Sequence, residues 1–480
     1  MIKHTKIGVT IGPASADKTI MAELVKAGMN FARLNFSHGT YDEYTALIAK
    51  LRETEAASGE PLAILQDLQG PKMRLGTIPS EGVEIKTGSE AVLAIGQTEY
   101  QAERIPVSYR GLEVFLKIGE RILIDDGHLE LKITAINGAE VTATVVEGGK
   151  LSSHKGLNFP DSTFLAIPAL SEKDKADVKF GVQNGVDFVS LSFTKRAQDI
   201  LDLRFLIKSY EEELGIVRES PIQVVGKIER YEAVDNLQEI LDVADAIMVA
   251  RGDLGLEMPE AELPLIQKRI IDAANLAAKP VIVATQMLDS MQHNRRPTRA
   301  EVTDVANAVI DHADALLLTN ETAMGEHPVL TVETMREIIV ATEKSTYDDL
   351  PIPAALKSGT SVDIAITQAS RLLAEEVKAK LILAASLSGE TGRRISQVRP
   401  NLPILVATHS ERVQRQLNLS WGVEAFLLPE CRTIEELVER SVSYLKQHKI
   451  AKTGDKMIIV AGEPVGQAGN VNLVEVREIK

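Results

Sequence analysis

The sequence predicts an α/β chain built on a closed (β/α)8, or TIM, barrel. Three observations lead there: eight short β-rich apolar runs, helix-period stretches between them, and polar residues gathered just past the carboxyl ends of the runs. The runs are Lys6 to Ile11, Asn30 to Leu34, Leu62 to Gln66, Val186 to Ser192, Ile222 to Gly226, Asp245 to Val249, Pro280 to Ala284 and Ala315 to Leu318. Helical segments between them include Asp17 to Ala27, Tyr41 to Ala57, Glu172 to Asn184, Leu263 to Ala277 and Arg299 to Asp311, with a final helix near Leu330 to Glu343. Right-handed crossovers make closure of eight such units the economical topology; an open doubly wound sheet is the alternative.

The alternation breaks between Pro71 and Pro168, where turn residues separate β-prone runs: Ala91 to Ile95, Arg121 to Ile124, Leu129 to Ile133 and Glu140 to Val146. No helix-period stretch falls there, so this interval is expected to be an all-β domain inserted after the third strand, with its ends close together. Tyr347 to Gly359, with Pro351 and Pro353, has the composition of a linker. Beyond it a separate α/β domain is expected, with strands near Leu381 to Ala384, Ile404 to Ala407 and Met457 to Val460. The expected domains are therefore 1–70 with 169–345 (barrel), 71–168 (β insertion) and 346–480 (C-terminal α/β).

Composition bounds the function. The 480 residues are 44% hydrophobic and 25% charged, which fits a soluble globular chain of two or three domains. No segment approaches the roughly 20 apolar residues that span a bilayer, and Met1-Ile2-Lys3-His4 lacks the pattern of a secretory signal. A cytoplasmic protein without membrane partners is expected. The net charge of −15 argues against nucleic-acid binding, which needs a basic face, yet leaves room for small anions held by local cations. Cys431 is the single cysteine, so neither a disulfide framework nor a Cys-rich metal cluster is in question.

Candidate chemistry gathers at the carboxyl ends of the runs. Asn35, Ser37 and His38 follow the second, Asp67 the third, Lys227 and Glu229 the fifth, Arg251 and Asp253 the sixth, and Thr285 the seventh. Neighbouring strands lie about 4.8 Å apart, so Glu229 and Asp253 can share one oxygen-loving ion. Two carboxylates without His or Cys suit magnesium or manganese; the competing reading is a pair of loop carboxylates neutralised by Lys227 or Arg251. Lys227 suits three roles: Schiff-base nucleophile, proton donor, or fixed cation, the last favoured beside a metal-binding carboxylate. A structural ion pair is its bland reading. Arg33 lies within a strand-like run, where a charge needs a partner or a ligand; with Lys72 and Arg74 it can gather phosphate oxygens, or it can form a buried salt bridge.

Asn35-Phe36-Ser37-His38-Gly39, Asp67-Leu68-Gln69-Gly70-Pro71-Lys72, Lys227-Ile228-Glu229, Val249 to Gly255 and Ala284-Thr285-Gln286-Met287-Leu288 resemble the motifs of pyruvate kinase, in order and spacing. Pro297-Thr298-Arg299-Ala300-Glu301 and Asp304 to Ala308 match as well, and the likeness spans essentially the whole chain. The resemblance implies transfer of the phosphoryl group of phosphoenolpyruvate to ADP, giving pyruvate and ATP in glycolysis, with Mg2+ or Mn2+ as cofactor. It implies that Lys227 stabilises the transferring phosphoryl group and enolate, that Arg33 contacts the phosphate, and that Glu229 and Asp253 hold the divalent ion. The backbone of Gly252 and Asp253, with Thr285, would seat the substrate carboxylate, Thr285 also joining a water relay that protonates the enolate. Asn35, Phe36, Ser37, His38, Arg74 and Lys155 would serve the nucleotide, the β insertion closing over it.

Asn35, Ser37 and Asp67 match positions that hold a monovalent cation in many members. Lys72 stands where potassium-dependent members have glutamate, so potassium is expected to be dispensable here. Ser386, Ser388, Gly389, Glu390 and Thr391 follow a strand and open a helix; they resemble an effector phosphate loop for a sugar phosphate or AMP, opposed by Gly466 to Gly469, with an ordinary turn as the bland reading. The resemblance also implies a homotetramer. Thr319-Asn320-Glu321-Thr322 and Val302-Thr303 depart from the common family pattern. A divalent-ion barrel lyase or aldolase and a catalytically silent metabolite sensor are the rival readings; the large β insertion speaks against the first, the full set of chemical residues against the second.

Overall fold

The computed structural model describes residues 3–348, 361–462 and 471–480. Most of the expected linker and the Gly466 to Gly469 loop fall outside these. Eight parallel strands close on themselves: Lys6–Thr10, Phe31–Asn35, Ala63–Asp67, Phe188–Leu191, Gln223–Ile228, Ala246–Ala250, Val281–Ala284 and Ala315–Leu318, the first pairing with both the second and the eighth. The open-sheet alternative is thereby excluded. Between the third and fourth strands residues 68–187 intervene, yet the two are hydrogen-bonded neighbours, Leu65 opposite Phe188 and Asp67 opposite Ser190.

Each strand is buried on both faces, which is why the runs read as nearly continuous apolar stretches. Inside, Phe31, Leu65, Phe188, Met248, Ile282 and Leu317 fill the lumen. Phe31 has room because residue 8 is glycine: a Cβ there would stand 2.2 Å from Cζ of the ring. Helices wrap the outside and start where the chain supplies caps. Thr40 with Glu43, Ser171 with Asp174 and Thr298 with Glu301 form reciprocal capping boxes at Tyr41–Ser58, Glu172–Asn184 and Arg299–Ile310.

The interval after the third strand folds as a six-stranded sheet, ordered Leu157–Asn158, Arg121–Ile124, Leu129–Asn137, Glu140–Glu147, Glu90–Ile95, Arg104–Val107, around its own apolar cluster. Only the last pair is parallel. Val83–Ile85 pairs separately with Gly149–Leu151. Four of these eight, each of two to four residues, were not anticipated, because so short a run carries little alternation. A single 3-10 turn, Leu112–Phe115, is the interval's helical content.

Residues 381–478 form a five-stranded sheet in the order Val423–Leu427, Ile404–Thr408, Leu381–Ala385, Lys456–Ala461, Leu473–Glu478, parallel except for the last strand. It docks on the amino-terminal pole of the barrel through a dense polar seam. Arg399 lays its guanidinium fork on Asp314 at 3.1 and 3.0 Å and donates to Asn275 Oδ1 at 2.6 Å, while the Trp421 amide donates to Asp314 Oδ1 at 2.9 Å. Asp187 is fully buried between Arg52 and Arg415, at 2.7 and 2.9 Å. Burial opposes its ionisation, but Arg52, Arg415 and Arg412 outweigh burial and hold its carboxyl below the usual range. Beside this seam Leu419 enters the barrel lumen and joins its interior cluster.

Candidate active site

The suspected residues converge at the carboxyl pole of the barrel. The strands run further than their apolar runs suggest: Asn35 and Asp67 are the last, mutually opposed residues of the second and third strands, and Lys227 lies within the fifth. These side chains are thus fixed by sheet hydrogen bonds rather than carried on loops. Period-two alternation then aims Arg33 with Asn35, Ser190 with Ser192, and Lys227 with Glu229 toward one side.

Asp67 is the hub. Arg33 Nε and Nη2 lie 2.7 and 2.6 Å from its Oδ2, and Ser190 Oγ donates to Oδ1 at 2.6 Å. Arg33 Nη1 donates onward to Thr10 Oγ1 at 3.1 Å. Lys227 Nζ stands 3.4 Å from Asp67 Oδ1 and 2.7 Å from Glu229 Oε1, and donates to Ser192 Oγ at 2.8 Å. The Phe193 amide donates to Glu229 Oε2 at 2.6 Å. Arg33 therefore makes the buried salt bridge and also lines the cleft.

These pairings set the charges. Burial disfavours ionisation of both Lys227 and Asp67, yet their mutual attraction, with Glu229 and Arg33, overrides it: the ammonium is held above its ordinary value and the Asp67 carboxyl below. An amine so firmly protonated is a poor Schiff-base nucleophile and a persistent fixed cation. Glu229 goes the other way; burial and the nearby Asp253 charge push it up in spite of Lys227. His38 is pushed down by burial, then by Arg74 and Lys72, which keeps its imidazole neutral at physiological pH.

Arg33, Asn35, Ser37, His38, Asp67, Lys72, Arg74, Lys227, Glu229 and Asp253 line one cavity of about 150 Å3. Asp253 projects from the turn Arg251–Leu254 that follows the sixth strand, and Lys72 Nζ lies 3.4 Å from its Oδ1. Beside this cavity the Gly252 amide donates to Thr285 Oγ1 at 2.8 Å. Thr285 holds φ at +73°, a costly conformation for a β-branched residue. Arg251 restrains it, donating to the Thr285 carbonyl at 2.7 Å while paired with Asp304 at 2.7 Å.

Two nucleotide candidates lie elsewhere. The Phe36 ring is buried and stacked 4.0 Å from Tyr44, and its carbonyl accepts from Lys173, so it braces the site from behind. Lys155 sits in the insertion, paired with Asp125 at 2.7 Å. Ser386, Ser388, Gly389, Glu390 and Thr391 are in the C-terminal sheet domain, between strand Leu381–Ala385 and helix Glu390–Gln397; Gly389 takes φ +80° and the Ser388 carbonyl accepts from Arg393 at 3.3 Å. Sequence reasoning missed Thr10, Ser190 and Ser192. The pair Ser190 and Ser192, alternating inside an apolar run, was the available signal.

Among the described residues no group of three or more His, Cys, Asp or Glu side chains could hold a metal ion. The remaining donor set is Glu229 with Asp253, two carboxylates close enough that one raises the other. A divalent cation held by these two would relieve that repulsion, and so sparse a set would suit a hard ion completed by water and substrate oxygens.

The family model described as pyruvate kinase, barrel domain, matches residues 2–332, and that described as pyruvate kinase, alpha/beta domain, matches 364–477. A pyruvate kinase of Geobacillus stearothermophilus is 41% identical over 482 residues, covering 100% of this chain and 81% of the relative. One from Mycobacterium tuberculosis is 41% identical, covering 100% and 99%. A crystal structure of a pyruvate kinase from Cryptosporidium parvum superposes with a TM-score of 0.91 at 31% identity, covering 100% of this chain and 96% of that one.

Proposed function

The chain belongs to the pyruvate kinase family, and from that premise we propose that it transfers the phosphoryl group of phosphoenolpyruvate to ADP, releasing pyruvate and ATP. The observation that carries the residue-level reading is the meeting of Lys227, Glu229, Asp67 and Arg33 in one cleft. Phosphoryl transfer depends on positioning and charge neutralisation more than on covalent chemistry. Arg33 and Lys227 supply fixed positive charge to the phosphate and the developing enolate. Asp67 pairs with both cations, and Ser192 Oγ accepts from Lys227.

Glu229 and Asp253 would hold Mg2+ or Mn2+, which supplies Lewis-acid charge neutralisation when bound. The Gly252–Asp253 turn and Thr285 would seat the substrate carboxylate, and the Thr285 hydroxyl would pass a proton through water to the enolate carbon. Asn35, Ser37, His38 and Arg74 would face the nucleotide, supported by their shared place in the cleft. We carry Lys155 as a contact made when the β insertion (71–168) swings over the barrel (1–70 with 169–345). The Lys72 ammonium would replace the monovalent cation otherwise expected near Asn35, Ser37 and Asp67. The C-terminal domain (346–480) would take a phosphorylated activator, a sugar phosphate or AMP, at Ser386 to Thr391; support is the strand–loop–helix setting with Gly389 in a left-handed turn. A homotetramer and a cytoplasmic, glycolytic setting complete the reading; a single cysteine suits the latter.

The test is a coupled assay of pyruvate formed from phosphoenolpyruvate and ADP, with magnesium and with chelator. Absence of magnesium-dependent pyruvate formation overturns the proposal.

A further inference from the structure

Each carboxylate assigned to the divalent ion is already covered by an ammonium group. Lys227 stands 2.7 Å from Glu229, and Lys72 stands 3.4 Å from Asp253. An incoming cation competes with these ammonium groups for the two carboxylates, and the two pairs are unequal. Lys227 is buried and held by three partners, Glu229, Asp67 and Ser192. Lys72 has the longer, single contact to Asp253 and a side chain 28% exposed. A partly exposed single pair is cheaper to break, whereas moving Lys227 would leave Asp67 and Glu229 uncompensated in a buried setting.

We propose that Lys72 is a positioning residue that guards the divalent site: it occupies Asp253 in the metal-free protein and is displaced when the ion arrives. This rests on the functional reading above, since it takes Asp253 as a metal ligand. The backbone favours such a hand-over. Lys72 follows Gly70-Pro71 in a tight turn where Gly70 takes φ +68° and the Lys72 amide donates to the Gly70 carbonyl at 2.9 Å. That turn is anchored by the Gly70 amide donating to Asp174 Oδ1 at 3.0 Å, so the main chain stays fixed while the long side chain pivots. Both Lys72 and the proposed monovalent positions Asn35, Ser37 and Asp67 line the same cavity, so the displaced ammonium keeps its charge in the cleft. Metal binding and placement of this charge are then one event, with Lys72 lowering metal affinity in the empty enzyme.

The experiment is Mn2+ binding to the full chain without substrates, read from the paramagnetic resonance signal of free Mn2+. Lys72→Gln should bind Mn2+ about two- to fivefold tighter than the parent, the size expected for removing one partly exposed ion pair. Lys72→Arg, which keeps the charge, should stay near the parent. In an Asp253→Asn background the Lys72→Gln change should no longer alter affinity, which separates a specific contact from a general loss of positive charge. The idea is overturned if Lys72→Gln binds no tighter, if the gain persists without the Asp253 carboxylate, or if the parent binds no Mn2+. Failure of the coupled assay bears on the reaction instead, because this readout contains no turnover.

Discussion

Lys227, on the fifth barrel strand, and Glu229, the first residue past its end, meet at 2.7 Å because the extended backbone carries alternate side chains to one face. The pair is closed off from water, with both side chains at or below 10% exposure. Its geometry fixes what substitution should do. Lys227→Met removes the charge opposite the developing enolate and is expected to lower kcat by about 10²–10³-fold or more, the usual size of losing one preorganised electrostatic partner. Steady-state kinetics beside Mn2+ binding would check it; near-parental turnover would remove Lys227 from the mechanism.

Potassium should be dispensable. In buffers free of sodium and potassium the parent enzyme is expected to turn over fully. A Lys72→Glu variant should lose activity and regain it when potassium is added. A parent that requires potassium would refute the role given to Lys72.

Breaking the Arg399–Asp314 fork should loosen the barrel from the C-terminal sheet domain. Arg399→Leu leaves Asp314 buried without its cation, a loss of about 3–5 kcal/mol for pairs of this kind. Thermal unfolding should move down accordingly. Replacing both residues with apolar ones should recover part of the loss, since the remaining carboxylate carries most of the penalty. Equal unfolding temperatures for parent and Arg399→Leu would show the fork to be dispensable.

Glu257 supplies a pH signature. Its Oε1 lies 3.2 Å from Arg230, whose charge resists the shift, yet burial, with Glu232 close by, pushes its carboxyl up to about 7. A carboxyl that binds its proton more tightly in the folded chain favours folding below its unfolded value, and that advantage fades as pH rises from about 4.5 to about 7. The loss is on the order of 3 kcal/mol. Glu257→Gln should flatten stability over that window in denaturant titrations. Asp67 and Asp187, both held low, act oppositely: their contribution is full above the ordinary carboxylate range and is lost on acidification through their depressed values. An unchanged slope in Glu257→Gln would place the titrating group elsewhere.

Much of this was legible in the chain because charge at the end of an apolar run is costly and therefore conspicuous. Lys227, Glu229 and Asp253 stood out for that reason, and the eight runs declared the barrel because parallel strands buried on both faces carry few polar residues. What escaped was information held between elements. Ser192 matters because it faces Lys227 from the next strand, and a serine in a run is unremarkable alone. Phe36 read as part of a ligand motif, but its ring is claimed by Tyr44 and Phe180, a packing visible only once the helices are in place. The two-residue strand Leu157–Asn158 has no period to detect.

The seam between the third and fourth staves has a kinetic consequence. Asp67 and Ser190 cannot meet until the polypeptide has travelled out through the whole β excursion and come back, so among joints between staves consecutive in the chain this one closes the longest loop. Fluorescent reporters flanking it should register pairing later than reporters placed across the second and third staves, whose connection is short.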